Sequence, residues 1–492
     1  MANLFNYDVN LQPAVMDIRS ETLEPISTST NRYVFRLDQA GQLDSNSVLL
    51  FKPQRITGKS DNDSLRVNPV GGGLLAIKRA TLQVGDYVLN DINDVGKISH
   101  LVDMGTINTS NNSKYNSHYF LNNAHYKSLD SGGSADANAT TNGESAHGSA
   151  GSIIYDRYRS AINFGQPNNS FGGKLVNNCA ITDDKSKNHQ IGIPLGNLFP
   201  CLKGQELPLF LFQDYRILLT VEFHTSEKWV NDIADASMTA AAGFVSVEDV
   251  KLQVDYIIYP SEVQNQLKEQ TNSQGGLNLA FPDIIKIEKN IPSATANAEQ
   301  SLEHRIGMDN KEVHKIYMCK QFSRVQNVHD RIYLNARCDG VNQEEYNVNI
   351  DGVDIFQEAK WNPNSQYNET TNCLGGELNV PRPVYFCDEN TYMSRLADTN
   401  GGILGKMKPL CLDLTNGNAG VVGAGRQIGS YPIIWKYKRK PTADVPNTAS
   451  AHPNGNIVES MSGAMSADYF VYCSRSANIT STPCGTAVMV SY

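Results

Sequence analysis

The chain has 492 residues, 40% of them hydrophobic and 19% charged, with a formal net charge of -9. That length excludes a single small module, and the balance of patterned apolar and polar residues excludes both a membrane bundle and a disordered chain. An acidic surface also argues against a whole-surface phosphate-binding role, which concentrates Lys and Arg on one face.

From the N-terminus, Met1 to Ala14 has neither a basic region nor a continuous apolar stretch, so a cleaved secretion signal is not expected. Ala80, Leu82 and Val84 alternate with Thr81 and Gln83, the period of a half-buried strand, and Gly85-Asp86 supplies a tight turn before Tyr87. Asp91 to Met104 places Val95, Ile98, Leu101 and Val102 on one helical face. Ile107 to Gly173 is rich in Asn, Gly and Ser and reads as an elaborated surface insertion. The longest apolar run, Leu207 to Phe212, is of strand length and far short of the ~18 residues that span a bilayer. Ile217 to Phe223 and Val250 to Tyr256 alternate again, and Trp229 to Ala242 is a weaker helical candidate.

At mid-chain, Ser261 with Gln264 forms a capping-box pattern for a helix running to about Gln270. The polar, glycine-bearing stretch Thr271 to Gly276 follows, and strand character returns at Ile284 to Ile287. Further alternation marks Ile332 to Cys338, Ile433 to Tyr437, Tyr469 to Cys473, and Ala487 with Met489. Two similar strand-rich halves are therefore expected: an N-terminal arm at 1–30, a first unit at 31–260, a helical linker at 261–280 and a second unit at 281–492. Strands of ~6 residues fill only part of each half, so long loops belong to the design. The hairpin turns disfavour a parallel α/β architecture.

Four constellations carry possible chemistry. Asn347, Asn349, Asp351 and Gly352, with Glu358 beyond, approach a calcium-loop spacing, but the flanks alternate as a hairpin. Gly420, Gly423, Gly425 and Gly429 precede a strand and not a helix, so a bend is expected in place of a phosphate cradle. Lys436, Lys438, Arg439 and Lys440 interleave with Tyr437, the composition of a local nucleic-acid contact or of a solvated strand end. His118, His125, His304 and His314 lack a carboxylate or cysteine at ligand spacing, so no metal, cofactor or catalytic residue is assigned and the chain is not expected to be an enzyme. Nine cysteines without a CxxC pattern are expected as free, mostly buried thiols. Seven sequons, at Asn62, Asn108, Asn111, Asn138, Asn168, Asn368 and Asn478, are expected by chance in an Asn-rich chain.

Ile193 to Phe223 (IPLGNLFPCLKGQELPLFLFQDYRILLTVEF) resembles the major capsid proteins of eukaryotic double-stranded DNA viruses. Those proteins have an IPL-containing stretch, then a proline-led apolar strand like Leu207 to Leu211, then an alternating strand like Arg216 to Phe223. RATLQVGDYVLNDIND (Arg79 to Asp94) looks like their strand, tight turn and helix, and VKLQVDYIIYPSEVQNQL (Val250 to Leu267) is similar to the end of their first jelly roll and the helix that follows. Cys411 to Lys440 looks most like the Polinton-like and virophage members, while Gly196-Asn197-Leu198 departs from the giant-virus form of the motif. The resemblance implies an all-β fold of two tandem eight-stranded antiparallel jelly rolls, a homotrimer forming a pseudo-hexagonal capsomer, and a place in the virion. It also implies neighbouring capsomers, penton and minor capsid proteins as partners, with membrane contact only through other proteins and no sequence-specific nucleic acid. A minor capsid, spike or carbohydrate-binding jelly roll is the alternative.

Overall fold

The computed structural model describes residues 17–39, 41–56, 65–67, 72–106, 190–203, 206–212, 215–232, 245–273, 275–295, 298–322, 343–360, 363–375, 410–415, 425–440, 464–482 and 485–491. Alternation builds most of its strands. In Ile217–Phe223, for example, Ile217, Leu219, Val221 and Phe223 are buried while Leu218, Thr220 and Glu222 are only half-buried. Eight framework strands lie in the first half: β1 (Asp17–Leu23), β2 (Arg32–Leu37), β3 (Val48–Arg55), β4 (Ile77–Val84), β5 (Tyr87–Asn93), β6 (Ile191–Pro194), β7 (Ile217–Phe223) and β8 (Val245–Ile258). Eight more lie in the second: β9 (Leu277–Ile291), β10 (Gln300–Ile306), β11 (Glu312–Phe322), β12 (Gln343–Ile350), β13 (Val353–Asp354), β14 (Leu410–Asp413), β15 (Ile433–Lys440) and β16 (Met465–Thr482).

The pairing order is the same in both halves. The first half has sheets β1-β8-β3-β6 and β2-β7-β4-β5; the second has β9-β16-β11-β14 and β10-β15-β12-β13. Adding eight to each label in the first half reproduces the second, and every pairing is antiparallel. This is the jelly-roll order, in which the chain crosses from one sheet to the other at every step except the β4–β5 and β12–β13 hairpins, so neither sheet folds without its partner. Apolar side chains from facing sheets fill the space between them. In the first sandwich Phe51 meets Phe223 edge-on at 5.0 Å and Trp229 at 6.3 Å. In the second, Trp435 stacks on Tyr346 at 5.2 Å and meets Tyr469 edge-on.

Several sequence expectations are corrected. Asp17–Leu23, inside the segment expected to be an arm, is β1 and pairs along its length with β8. Its side chains are mostly exposed on both faces, so it has no apolar alternation to betray it and is held by the ladder. Leu207–Phe212 is not a strand: Leu207 makes one bridge to Leu43, and Leu209–Phe212 is a 3-10 turn buried all round. Its amides bond outside a strand ladder, Leu211 to the Pro208 carbonyl within the turn at 3.2 Å and Phe210 to the distant Gly41 carbonyl at 3.0 Å. Gly41 (φ +68) is required there, since a Cβ would stand 2.2 Å from the Ile257 carbonyl oxygen. Asp91 to Asn93 completes β5, and the helix expected from Asp91 begins only at Val95, as α1 (Val95–Thr106). Trp229 opens no helix, since Val230–Asp232 pairs as a strand with Leu65–Val67.

The mid-chain helix, α2 (Ser261–Ser273), runs three residues beyond the expected end. Its start is tied differently from a capping box: Gln264 donates its amide N–H to the Pro260 carbonyl at 3.1 Å and its side-chain Nε2 to the Tyr259 carbonyl at 2.9 Å. A third helix, α3 (Pro363–Gly375), precedes β14. The expected strand at Ile332 to Cys338 and the insertion at 107–173 lie outside the described residues. No helix among the described residues is long and apolar enough to cross a membrane.

Candidate functional site: the seam between the two sandwiches

β16 is buried on both faces. Tyr469, Val471 and Cys473 share one parity, and Tyr469 points into the second sandwich, where its hydroxyl meets His304 Nδ1 at 2.7 Å. Asp468 and Phe470 take the other parity and are equally buried, because this outer face is covered by the first half of the chain. β9 packs on β5 and on the 3-10 turn Pro200–Leu202, and α1 lies against α3.

A chain of alternating charge crosses this contact. Lys97 of α1 donates to Asp468 Oδ2 at 2.5 Å, with side chains 2% and 4% exposed. Asp468 Oδ1 pairs with Lys286 of β9 at 3.2 Å, and Lys286 pairs in turn with Asp94. Asp94 Oδ1 accepts from His224 Nε2 at 3.1 Å. Lys97, Asp94 and His224 belong to the first half, Asp468 and Lys286 to the second, so the pairs bridge the halves. Asp94 is also the hinge from β5 into α1: its φ of 51 turns the chain, and its carbonyl accepts the amides of Lys97 at 3.0 Å and Ile98 at 3.2 Å. A second cluster lies beside it. Asn90 of β5 donates to Asp283 Oδ1 at 2.9 Å and accepts the Cys201 amide at 3.1 Å, while Arg475 donates to Asp283 Oδ2 at 2.9 Å.

Burial decides the energetics. An ion withdrawn from water costs several kcal/mol, which only a well-placed partner offsets. Sliding one sandwich along the other by a residue, ~3.3 Å, removes each partner and leaves the charges bare. The contact is therefore one fixed arrangement. Burial lowers the Lys97 ammonium, but the charge and hydrogen bond of Asp468, together with weaker contributions that include Asp94, outweigh it and hold the group above its usual range. Burial pushes Asp283 up against the opposing charge of Arg475, and the carboxyl lies above its ordinary range. For Asp94, burial is outweighed by the hydrogen bond from His224 and the charge of Lys286, and its carboxyl lies well below the carboxylate range.

A depressed carboxyl contributes stability that is complete above the unfolded pKa, near ~4, and is lost as pH falls through the folded value. Asp283, shifted upward, carries the opposite sign, its contribution being lost as pH rises. Asp94→Asn keeps the left-handed turn, which Asn tolerates. The expected result is a stability deficit relative to wild type at pH ~6 that shrinks steadily below pH ~4, read from urea denaturation midpoints. A deficit independent of pH would remove the Asp94 charge from the account.

The constellations singled out in the sequence resolve into structure. Asp351 (φ 52) and Gly352 (φ 82) form the two-residue turn of the β12–β13 hairpin. Asn347 and Asn349 are occupied there, Asn347 bonding both the N–H and carbonyl of Phe356 and Asn349 bonding Asp354. Gly425 donates to Glu312 Oε1 at 2.7 Å, and Arg426–Gln427 pairs with β11, a bend into β15 without a helix; Gly420 and Gly423 lie outside the described residues.

On β15 the cations alternate with core residues. Lys436 pairs with Asp354 at 2.8 Å, and Lys438 with Glu299 and Glu345 at 3.1 Å each. Arg439 shares the parity of Trp435 and Tyr437, is buried, and bonds Gln300 Oε1 at 2.7 Å and the Pro292 carbonyl at 2.6 Å. Lys440 is exposed at the strand end. His304 and His314 are buried, hydrogen-bonded to Tyr469 and Ser474, and lowered in pKa by burial. His118 and His125 lie outside the described residues. Among the described residues no group of three or more His, Cys, Asp or Glu is placed to hold a metal ion. Cys201, Cys319, Cys373, Cys411 and Cys473 are buried thiols in no disulfide; the other four cysteines lie outside the described residues.

No family model matches the chain, and no curated protein matches it. Solved structures do. VP54 of PBCV-1, fitted into a cryo-EM reconstruction of the virophage Sputnik, matches with a TM-score of 0.56 at 10% identity, over 99% of this chain and 100% of that one. The PBCV-1 virus capsid matches with a TM-score of 0.52 at 12% identity, over 99% of each chain. The Sputnik virophage structure matches with a TM-score of 0.50 at 9% identity, over 96% of this chain and 88% of that one. At such identities the likeness is one of fold, and it extends end to end. The chain is a double jelly roll, two eight-stranded sandwiches in tandem, built as in the PBCV-1 capsid.

Proposed function

We propose that the chain is a major capsid protein that trimerises into pseudo-hexagonal capsomers tiling the icosahedral shell of a double-stranded DNA virus. One observation carries this reading: the same sandwich occurs twice in one chain, fixed side by side by a buried ionic seam. A tile must hold its shape while its edges bond to neighbours. Two stiff sandwiches locked at one angle supply the shape, and three such pairs around an axis give six barrels with an outline close to a hexagon. The units are expected to be 31–260 and 281–492 with the helical linker between, the first extended at its N-terminal side by β1.

The net charge of -9 suits a wall that encloses DNA without gripping it. The pairing of Lys436 and Lys438 with carboxylates supports the absence of a phosphate groove on β15. Penton and minor capsid proteins are the proposed partners at vertices and on the inner surface, with membrane contact through them, and no enzymatic step is assigned to the chain.

Light scattering of the purified protein across concentrations tests the reading, followed by negative-stain imaging of the same fraction. Three chains of 54.1 kDa, about 162 kDa in all, with a hexagonal outline are expected. A protein that stays monomeric on concentration would overturn the capsomer and turn attention to the loops as ligand-binding surfaces.

A further inference from the structure

The fold lays Cys373, in the last turns of α3, on Cys411 of β14. β14 pairs with β11 so that Tyr317 stands opposite Cys411 and Lys315 opposite Asp413. The Tyr317 hydroxyl donates to the Cys373 carbonyl at 2.8 Å, and Lys315 Nζ donates to the same carbonyl at 2.6 Å. One turn earlier in α3, Glu369 accepts the Asp413 amide at 3.0 Å. The helix is thus tied across the strand on both sides, and the Cys373 and Cys411 thiols are left as close neighbours. Both residues are buried.

A single buried cysteine packs as a small apolar residue, but two in contact are one oxidation away from a bond. We propose that Cys373 and Cys411 form a disulfide when the native protein meets hydrogen peroxide, stapling α3 to β14. In the first step one sulfur attacks a peroxide oxygen, the O–O bond breaks, and the departing oxygen leaves as water with the thiol proton, giving a sulfenic acid. In the second, the other thiol sulfur attacks the sulfenic sulfur, the S–S bond forms, and the S–O oxygen leaves as water with the second proton. Two sulfurs each lose one electron and one peroxide becomes two waters.

Burial, then the neighbouring Cys411 thiol, holds the Cys373 thiol well above its usual range, so the reaction waits on local opening of α3. Because α3 also lies against α1, the staple fixes to the second sandwich a helix that touches the first. It stays open in a reducing compartment and closes in an oxidising one, whatever the chain assembles into.

The test treats native full-length protein with hydrogen peroxide, blocks remaining thiols by alkylation, and maps peptides without reduction. The expected product joins the peptides carrying Cys373 and Cys411, about 2 Da lighter than their sum, and the melting temperature rises until a dithiol reductant reverses it. Cys373→Ser and Cys411→Ser each abolish the cross-link and the thermal shift. Conversion of both thiols to sulfinic acids without a cross-link would overturn the proposal. So would a cross-link found only in denatured protein, or one joining either residue chiefly to another cysteine; the wild-type map alone decides this if a variant fails to fold.

Discussion

Asp468→Ala is expected to destabilise the chain by about 3–5 kcal/mol, the cost of breaking a buried ion pair from one side. The reason is what the substitution leaves behind. Lys97 is almost wholly enclosed, and Asp468 is the carboxylate that meets its ammonium. Lys286 loses one partner but keeps Asp94 and stays partly in reach of water. The double variant Lys97→Met with Asp468→Leu removes both charges and fills the space with apolar atoms, an exchange that is often neutral or better for buried pairs. Denaturant midpoints for the two single variants and the double are therefore expected to form a strongly non-additive cycle, with the double close to wild type. A cost for Asp468→Ala below about 1 kcal/mol, the scale of a solvated pair, would mean that water reaches the seam and that it does not lock the sandwiches.

That lock was half-visible in the sequence. The run Ala467-Asp468-Tyr469-Phe470-Val471 is apolar at both parities apart from one carboxylate, the mark of a strand buried on both faces that must carry a paired charge. Alternation at Tyr469, Val471 and Cys473 marks only one face, and Asp468 and Phe470 on the other carry no polar period of their own. Lys97 gave no signal, since a lysine on an amphipathic helix reads as solvated until its covering partner is known. The half-buried strands were legible because water on one face writes a period of two into the residues, as in Ile217–Phe223 and Ile433–Lys440.

β1 was not legible for the opposite reason, being exposed on both sides. Leu209–Phe212 misled because a short all-apolar run is equally consistent with a buried strand and a buried turn. The Asp351-Gly352 hairpin was legible from turn chemistry alone, since both residues tolerate the positive φ they adopt.

The second large effect lies in the core of the second sandwich, on the inward parity of β15. Trp435 is fully buried between the sheets, stacked on Tyr346 with ring planes 4° apart and edge-on to Tyr469, whose hydroxyl is held by His304. Trp435→Ala opens a cavity that these rings cannot close without breaking that hydrogen bond, and a loss of about 3–5 kcal/mol is expected. Trp435→Phe is expected to cost much less, about 1–2 kcal/mol, although it too removes atoms. The indole Nε1–H has no hydrogen-bond acceptor among the described residues, so the smaller ring sheds an unpaid desolvation cost along with the volume. One position further on, Lys436→Ala removes only a half-exposed pair with Asp354, and stability close to wild type is expected. Urea denaturation followed by tryptophan fluorescence and far-UV dichroism separates the three. If Trp435→Phe proves as damaging as Trp435→Ala, the indole N–H has a partner after all, and the second sandwich depends on a polar contact at its centre as well as on packing.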